Sequence, residues 1–315
     1  MSETLLAHRR TGAPGDPRMT EVADRVFAYI QPDGGWCLNN AGLLVGSEQV
    51  ALIDTAATEA RARALRKAVG EVTDTPPRVV VNTHFHGDHT FGNAVLAGSD
   101  AVIIAHEQMR VEAAAAGLGL TGLWPDVGWG DISLTLPQLT FRDRITLHLG
   151  SHRAELIHFG PAHTTNDVVV WLPQERVLFA GDLLMPGCTP FVLMGSVTGS
   201  LHTIDLLRAL GPRTVVGGHG PVSGPEVLDQ TAAYLRHVQQ LAGEGLAAGL
   251  TPLQTAREAG PGPFAGWLDA ERLVGNLHRA QAEALGADPG EPLDVVGVFG
   301  EMVEYNGGRL PTCHA

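Results

Sequence analysis

Apolar residues along this chain change period several times, and each change predicts a different kind of element. Residues 24–30 and 41–54 run or alternate apolar with β-branched content, as in Leu43-Leu44-Val45 and Val50-Ala51-Leu52-Ile53, with glycine-rich turns between them; strands and a hairpin are expected there. Residues 59–69 are alanine-rich and charged and predict a helix. Residues 78–82 (RVVVN) predict a buried strand that stops at a histidine-rich loop beginning at Thr83. A helix from about Thr90, a short strand over 101–105 and a helix over 106–116 follow. Residues 139–149 and 154–159 read as strands of a second sheet, joined by 168–172, 177–180 and 214–216, with a helix near 200–210. From about Pro225 the strand pattern ends, and Val227, Leu228, Ala232, Leu235, Val238 and Leu241 carry helical spacing. The expected division is a mixed α/β (α+β) catalytic domain over residues 1–224 and a helical C-terminal region over 225–315.

Ligand-capable side chains recur just past these strands. Thr83-His84-Phe85-His86-Gly87-Asp88-His89 puts three imidazoles and a carboxylate within six residues. From one short loop they can converge on a metal ion, because neutral imidazole nitrogens and carboxylate oxygens are what zinc takes when thiolates are absent. A solvated histidine-rich loop is the plainer alternative. Three further segments weigh against it: His163 in GPAHTTND, Asp182 in FAGDLL and His219 in GGHGPV, each on a small-residue turn after an apolar strand. Four independent segments with this placement can meet at one rim.

Composition narrows the function classes. A formal charge of -13 repels a phosphate backbone, so no nucleic-acid partner is expected; the compact basic cluster is Arg61, Arg63, Arg66 and Lys67 on one helix. No stretch reaches the roughly 18 apolar residues of a membrane span, and residues 1–17 lack the apolar run of a signal peptide. Cys37, Cys188 and Cys313 are far apart with no paired spacing, which argues against structural disulfides and for a cytoplasmic home. Gly117-Leu118-Gly119-Leu120-Thr121-Gly122 matches a dinucleotide-binding pattern but follows a helix rather than a strand, so it is read as a false match. His106, His148, His152, His158, His202, His237 and His278 have no companion spacing and are read as surface or core-edge residues. Trp124 and Trp129 are either core anchors or a pocket lid, and residues 268–277 are read as helix packing.

The order H-x-H-x-D-H, then His, Asp and His, resembles the metallo-β-lactamase superfamily over about residues 20–225. That resemblance implies an αββα sandwich with a helical C-terminal extension, and a binuclear site in which His84, His86 and His163 bind one metal, Asp88, His89 and His219 the other, and Asp182 bridges. It implies two Zn2+, with manganese or iron equally compatible with the donors. Two such ions against Asp88 and Asp182 keep a surplus positive charge even with a hydroxide between them, which lowers the pKa of bound water and stabilises an oxyanion or enolate. Asp88 and Asp182 are the carboxylates expected to serve catalysis. Subfamily patterns differ at single positions: antibiotic-degrading members carry cysteine where Asp182 stands, diiron members an acidic residue at Gly87, glyoxalase-type thioesterases Pro-Gly after His163, and quorum-quenching lactonases tyrosine at Met185. The segments GGWCLNNAG (34–42), LTGLWP (120–125), ERLVGNLHRA (271–280) and YNGGRLPTC (305–313) are similar to the metal-dependent second-ring cyclases of bacterial aromatic (type II) polyketide biosynthesis, of the actinorhodin type. That likeness implies a poly-β-keto substrate, an acyl carrier protein as partner, and ring closure, thioester hydrolysis or both. A generic ester, thioester or lactone hydrolase and a non-catalytic binding protein that folds a polyketide chain are the alternatives.

Overall fold

The computed structural model describes residues 15–98 and 100–315; the reading of residues 1–17 as lacking a signal peptide falls, but for its last three residues, outside the described part. Two sheets face each other. The first has seven strands in chain order: β1 (Arg18–Ala23), β2 (Val26–Ile30), β3 (Ala41–Val45), β4 (Val50–Ile53), β5 (Val79–Val81), β6 (Val102–His106) and β7 (Leu139–Phe141). β1 to β4 pair antiparallel, and β4 to β7 pair parallel. The second sheet has five strands, β8 (Arg144–His148), β9 (Arg153–Ile157), β10 (Val169–Leu172), β11 (Val177–Gly181) and β12 (Thr214–Gly217), also adjacent in chain order. All its neighbours are antiparallel except β11 and β12. The helices are α1 (Glu59–Val72), α2 (Gly87–Thr90), α3 (Asn93–Ala97), α4 (Glu107–Ala116), α5 (Val197–Leu210), α6 (Glu226–Ala248), α7 (Pro252–Ala259), α8 (Arg272–Ala284) and α9 (Val295–Tyr305).

The layers follow from the two-residue period of a strand, which sends alternate side chains to opposite faces. Leu44, Val81, Val170, Leu172 and Phe179 fill the space between the sheets. Their neighbours Leu43 and Val80 turn the other way and meet Ala62 and Leu65 of α1. Val169 and Trp171 likewise leave the inter-sheet layer and pack on α5, α6, α8 and α9 through Leu207, Leu235, Leu277 and Phe299. The result is the expected αββα sandwich. The helices after residue 225 share one apolar cluster with the outer face of the second sheet. Among the described residues, no helix is long and apolar enough to cross a membrane.

Three details differ from the sequence expectation. β1 precedes the strand expected from residue 24. The helix expected from about Thr90 is two short pieces, α2 and α3, broken around Gly92, where a Cβ would lie 3.0 Å from the backbone nitrogen of Ala56. The apolar run 139–149 is not one strand: β7 hydrogen-bonds to β6 in the first sheet, and the chain crosses at Arg142-Asp143 to begin β8 in the second. Phe141, Ile145 and Leu147 all pack on the same inter-sheet core, so their period is unbroken although the hydrogen-bonding partner changes.

Arg279 of α8 is 0% exposed and ties the C-terminal helices to the loop that carries the pocket wall. Its Nε and Nη2 donate to Leu193 O at 3.0 and 2.8 Å, and Nη2 donates to Glu291 O at 2.7 Å. Hydrogen bonds from a charged group contribute roughly 1.5–3 kcal/mol, so Arg279→Met is expected to lower stability by about 3 kcal/mol through the two abandoned carbonyls. A denaturant titration in which the midpoint falls and the slope is kept checks this.

Candidate metal centre

Strand ends deliver the functional side chains to one rim. β4 and β5 run parallel, as do β11 and β12, so within each pair the carboxyl ends point the same way. Asp54 follows β4, the His84–His89 segment follows β5, Asp182 follows β11 and His219 follows β12, while His163 lies in the connection from β9 to β10. Val168 N donates to Thr83 O at 2.7 Å and so fastens the end of one sheet to the other.

All seven residues singled out from the sequence come together. The donor atoms of His84, His86, His163 and Asp182 lie within 4.8 Å of one another, and so do those of Asp88, His89 and His219. In the first group His86 Nδ1 is 3.1 Å from His84 Nε2 and 2.9 Å from His163 Nε2, and Asp182 Oδ2 is 3.5 Å from His163 Nε2. In the second, Asp88 Oδ2 is 3.7 Å from His89 Nε2 and 3.3 Å from His219 Nε2. Asp182 faces both groups, with Oδ1 3.1 Å from His89 Nε2 and Oδ2 3.5 Å from His219 Nε2.

The outer partners of the imidazoles fix which nitrogen faces inward. Thr83 Oγ1 donates to Asp54 Oδ2 at 2.7 Å, so it can only accept from His84 Nδ1, 3.0 Å away. His89 Nδ1 donates to the same Asp54 oxygen at 2.8 Å. His163 Nδ1 donates to Phe191 O, and His219 Nδ1 donates to Gly34 O at 3.0 Å. Each of these four rings, once neutral, therefore turns its Nε2 lone pair into the cluster. His89 Nε2 and Asp182 Oδ1 are buried and face each other without the alignment of a hydrogen bond, so both lack a partner. Donors shared by one tetrahedral zinc at about 2.0–2.1 Å sit about 3.3 Å apart, and the distances here spread around that value, from 2.9 Å to the 4.0 Å between His84 Nε2 and Asp182 Oδ2. Converging lone pairs, orphaned buried atoms and that spacing all fit divalent cations.

Electrostatics divides the two groups. Burial and the neighbouring imidazoles hold His84 well below the usual histidine range and bring His86 to about 3, so both are neutral. For His219, burial works against the charged form, but Asp182 and Asp88 prevail and raise it to about 9. His89 is likewise raised against burial by Asp182, Asp88 and Asp54. With no cation present, protons on these two rings neutralise the carboxylates.

The cluster forms the floor of a cavity of about 620 Å³, counting its open mouth, which also reaches Cys37, Leu120, Leu193, Met194, Val295 and Met302. Trp36, Trp124, Phe191 and Phe299 supply aromatic walls, and Trp124 is at once wall and anchor, its Nε1 donating to Pro311 O at 2.8 Å. Trp129 is not among the lining residues and packs edge-on against Phe91. Segment 268–277, read as helix packing alone, adds Arg272 to the wall. Cys37 and Cys313, distant in sequence, are both free thiols that pack with the same apolar cluster. His106 and His158 stack on each other with ring centroids 4.0 Å apart, away from the cluster's ligand groups. The Gly119–Gly122 stretch is a single 3-10 turn after α4, with none of the strand–turn–helix setting of a dinucleotide site.

Asp54 is the residue sequence reasoning passed over. It ends an apolar strand as Asp182 does, and that shared placement was the available signal; its φ of 57° is one of few positive values outside glycine. Gly218 has no room for a side chain, since a Cβ would lie 1.9 Å from Asp182 Oδ1. Gly218→Ala is therefore expected to displace Asp182 and weaken zinc affinity about 10–100-fold, the range seen when a supporting residue is lost. Zinc titrated into metal-free wild type at neutral pH is expected to release protons from His89 and His219. Because His219 is protonated below about 9, apparent affinity should rise with pH up to that value. Calorimetry in buffers of different ionisation enthalpy reads both effects, and uptake without proton release would contradict the assignment.

Comparison with known proteins agrees with this geometry. A family model described as Metallo-beta-lactamase superfamily matches residues 34–219, more than half of the chain. The sequence is 26% identical over 236 residues to Metallo-beta-lactamase type 2 of Bacteroides fragilis, an alignment covering 72% of this chain and 88% of that protein. It is 30% identical over 218 residues to Hydroxyacylglutathione hydrolase of Rhodobacter capsulatus, covering 68% of this chain and 73% of that one. The fold is similar to that of Metallo-beta-lactamase from Pontibacter korlensis, with a TM-score of 0.60 at 22% identity over 70% of this chain and 99% of the other. From strand-end histidines to sandwich topology, the chain belongs to the metallo-beta-lactamase superfamily.

Proposed function

We propose that this chain is a metal-dependent enzyme acting on a partly cyclised poly-β-keto thioester, closing a ring by aldol chemistry, hydrolysing the thioester, or both. One observation carries the reading: an aromatic-walled cavity opens directly onto the His/Asp cluster. His84, His86 and His163 would hold one ion, Asp88, His89 and His219 the second, with Asp182 between them; zinc suits the set, and manganese or iron share its donors. Bound there, divalent ions supply Lewis acidity to a carbonyl or enolate oxygen.

The chain's own side chains do the rest. Burial opposes the charge on Asp88, but His89 and His219 prevail and bring it down to about 2. A carboxylate that holds a divalent ion is likewise too weak a base to remove a carbon-bound proton, so Asp88 would accept a hydrogen bond from water or an enol and hold it in place. Trp36, Trp124, Phe191 and Phe299 keep water away from a reactive polyketone, and their flat faces suit fused or conjugated rings. An acyl carrier protein is the proposed donor of the chain. Because the net charge is -13 and such carriers are acidic, docking needs a local basic surface. Similarity to hydrolases favours a second reading, a metal-dependent thioester, ester or lactone hydrolase of broader scope.

Incubating zinc-loaded protein with a bicyclic poly-β-keto thioester mimic, while following product mass and free thiol together, separates the readings. Ring closure with or without thiol release is expected, reduced about 100-fold or more in Asp182→Ala and abolished by chelation. Equal turnover of simple thioesters and lactones, with no new ring, would establish the broader hydrolase. Activity that survives chelation and Asp88→Ala would make the protein a non-catalytic folding template.

A further inference from the structure

Trp36 stands apart among the pocket walls because its ring is held on several sides while it stays part-exposed to the cavity. Arg272 of α8 places its guanidinium carbon 4.1 Å from the Trp36 ring centroid. Glu271, immediately before that helix, accepts from Trp36 Nε1 at 2.7 Å. Trp124 and Phe191 approach the ring with centroids 5.4 Å away in each case, one tilted and one edge-on. Arg272 is itself held: Nη2 is 3.1 Å from Asp269 Oδ2, and Nη1 donates to Thr189 O at 3.0 Å. It is 2% exposed, its Nε has no partner, and it lines the same cavity as Trp36.

The segment that displays this ring also serves the metal centre. Gly34, two residues before Trp36, accepts from His219 Nδ1 at 3.0 Å and from Cys188 Sγ at 3.3 Å. A Cβ on Gly34 would lie 2.4 Å from Gly220 N, so the 34–37 segment is pressed against the turn that carries His219. The ring thus stands at a set position relative to the cluster rather than in a mobile lid.

We propose that Trp36 is the specificity-determining residue of this pocket, a stacking surface that selects flat, conjugated acyl groups over flexible alkyl chains, and that Arg272 and Glu271 are the positioning residues that keep it in place. A ring that is already immobile loses little freedom when a second flat system stacks on it, whereas a flexible chain must be ordered on binding and gains no ring–ring contact. The guanidinium on the indole adds a cation–π contact that a lysine at the same position, being a compact, strongly hydrated charge, makes less well. This inference rests on the proposed action on acyl thioesters, and the test keeps the two apart.

Naphthoic and octanoic acids, titrated calorimetrically into zinc-loaded protein, report binding without turnover; their N-acetylcysteamine thioesters report kcat and KM. Wild type is expected to prefer the flat acid by about tenfold or more. Trp36→Leu, which keeps apolar bulk, is expected to bring that ratio close to one, and Trp36→Phe to restore most of it. Arg272→Lys, which retains the charge against Asp269, is expected to raise KM for the naphthoyl thioester more than for the octanoyl one, with kcat for both falling less than KM rises. A ratio unmoved by Trp36→Leu, or an Arg272→Lys effect equal on both substrates and confined to kcat, would overturn the proposal. Selective binding of the flat acid with turnover of neither thioester would uphold Trp36 and reject thioester hydrolysis at this site. Turnover of both thioesters without preference would overturn the role of Trp36 while upholding thioester hydrolysis at the site.

Discussion

The structure is organised around an arrangement that is unfavourable by itself: bare imidazole nitrogens and two carboxylates brought within a few ångströms of one another and out of water. Burying such groups is costly unless they are hydrogen-bonded or paired with opposite charge. Asp54 answers part of this. Through Thr83 and His89 it fixes two rings at once, and its own left-handed backbone at the end of β4 aims the carboxylate at both. Backbone carbonyls of Phe191 and Gly34 do the same for His163 and His219. Each of these four rings is held by its far nitrogen, which leaves its near one for a proton or a divalent ion to satisfy.

Rigid elements carry this arrangement. Parallel strand pairs in each sheet turn their carboxyl ends to one rim, and the inter-sheet core built on Leu44, Val81, Val170 and Phe179 brings the two rims together. Glycines at the closest approaches, Gly34 against Gly220 and Gly218 against Asp182, let the connecting turns meet with no side chain between them. A misplacement there would act directly on the donor spacing.

The helices after residue 225 belong to the chemistry as much as to the core. Leu235, Leu277 and Phe299 pack in the same apolar cluster as Trp171 and Leu178 of the second sheet. From that packed layer α8 presents Arg272 and α9 presents Phe299 to the cavity, while Arg279 secures the loop bearing Leu193. The cavity above the metal-binding rim is walled from within the matched span of 34–219 by Trp36, Trp124 and Phe191, and from beyond it by Arg272 and Phe299.

Much of this was legible in the chain itself. Short continuous apolar runs in 41–45, 78–82 and 168–172 marked strands, the shift to helical spacing at Pro225 marked the C-terminal helices, and His84, His86, Asp88, His89, His163, Asp182 and His219 could be named because each breaks an apolar run with a ligand-capable group at a strand end. The run 139–149 misled, because apolar period records which side chains are buried and not which strand they hydrogen-bond to. Asp54 passed as the last residue of a strand, and Arg272 as part of a packing helix, for a related reason. Their partners lie 29 and 35 residues away for Asp54 and in the distant 34–37 segment, at Trp36, for Arg272. Local sequence determines the period, the turn and the kind of donor, since these depend on neighbours along the backbone. Which lone pairs converge, which nitrogen of each imidazole faces inward and which ring is clamped beside them depend on groups brought together from distant segments, and only the tertiary structure decides those.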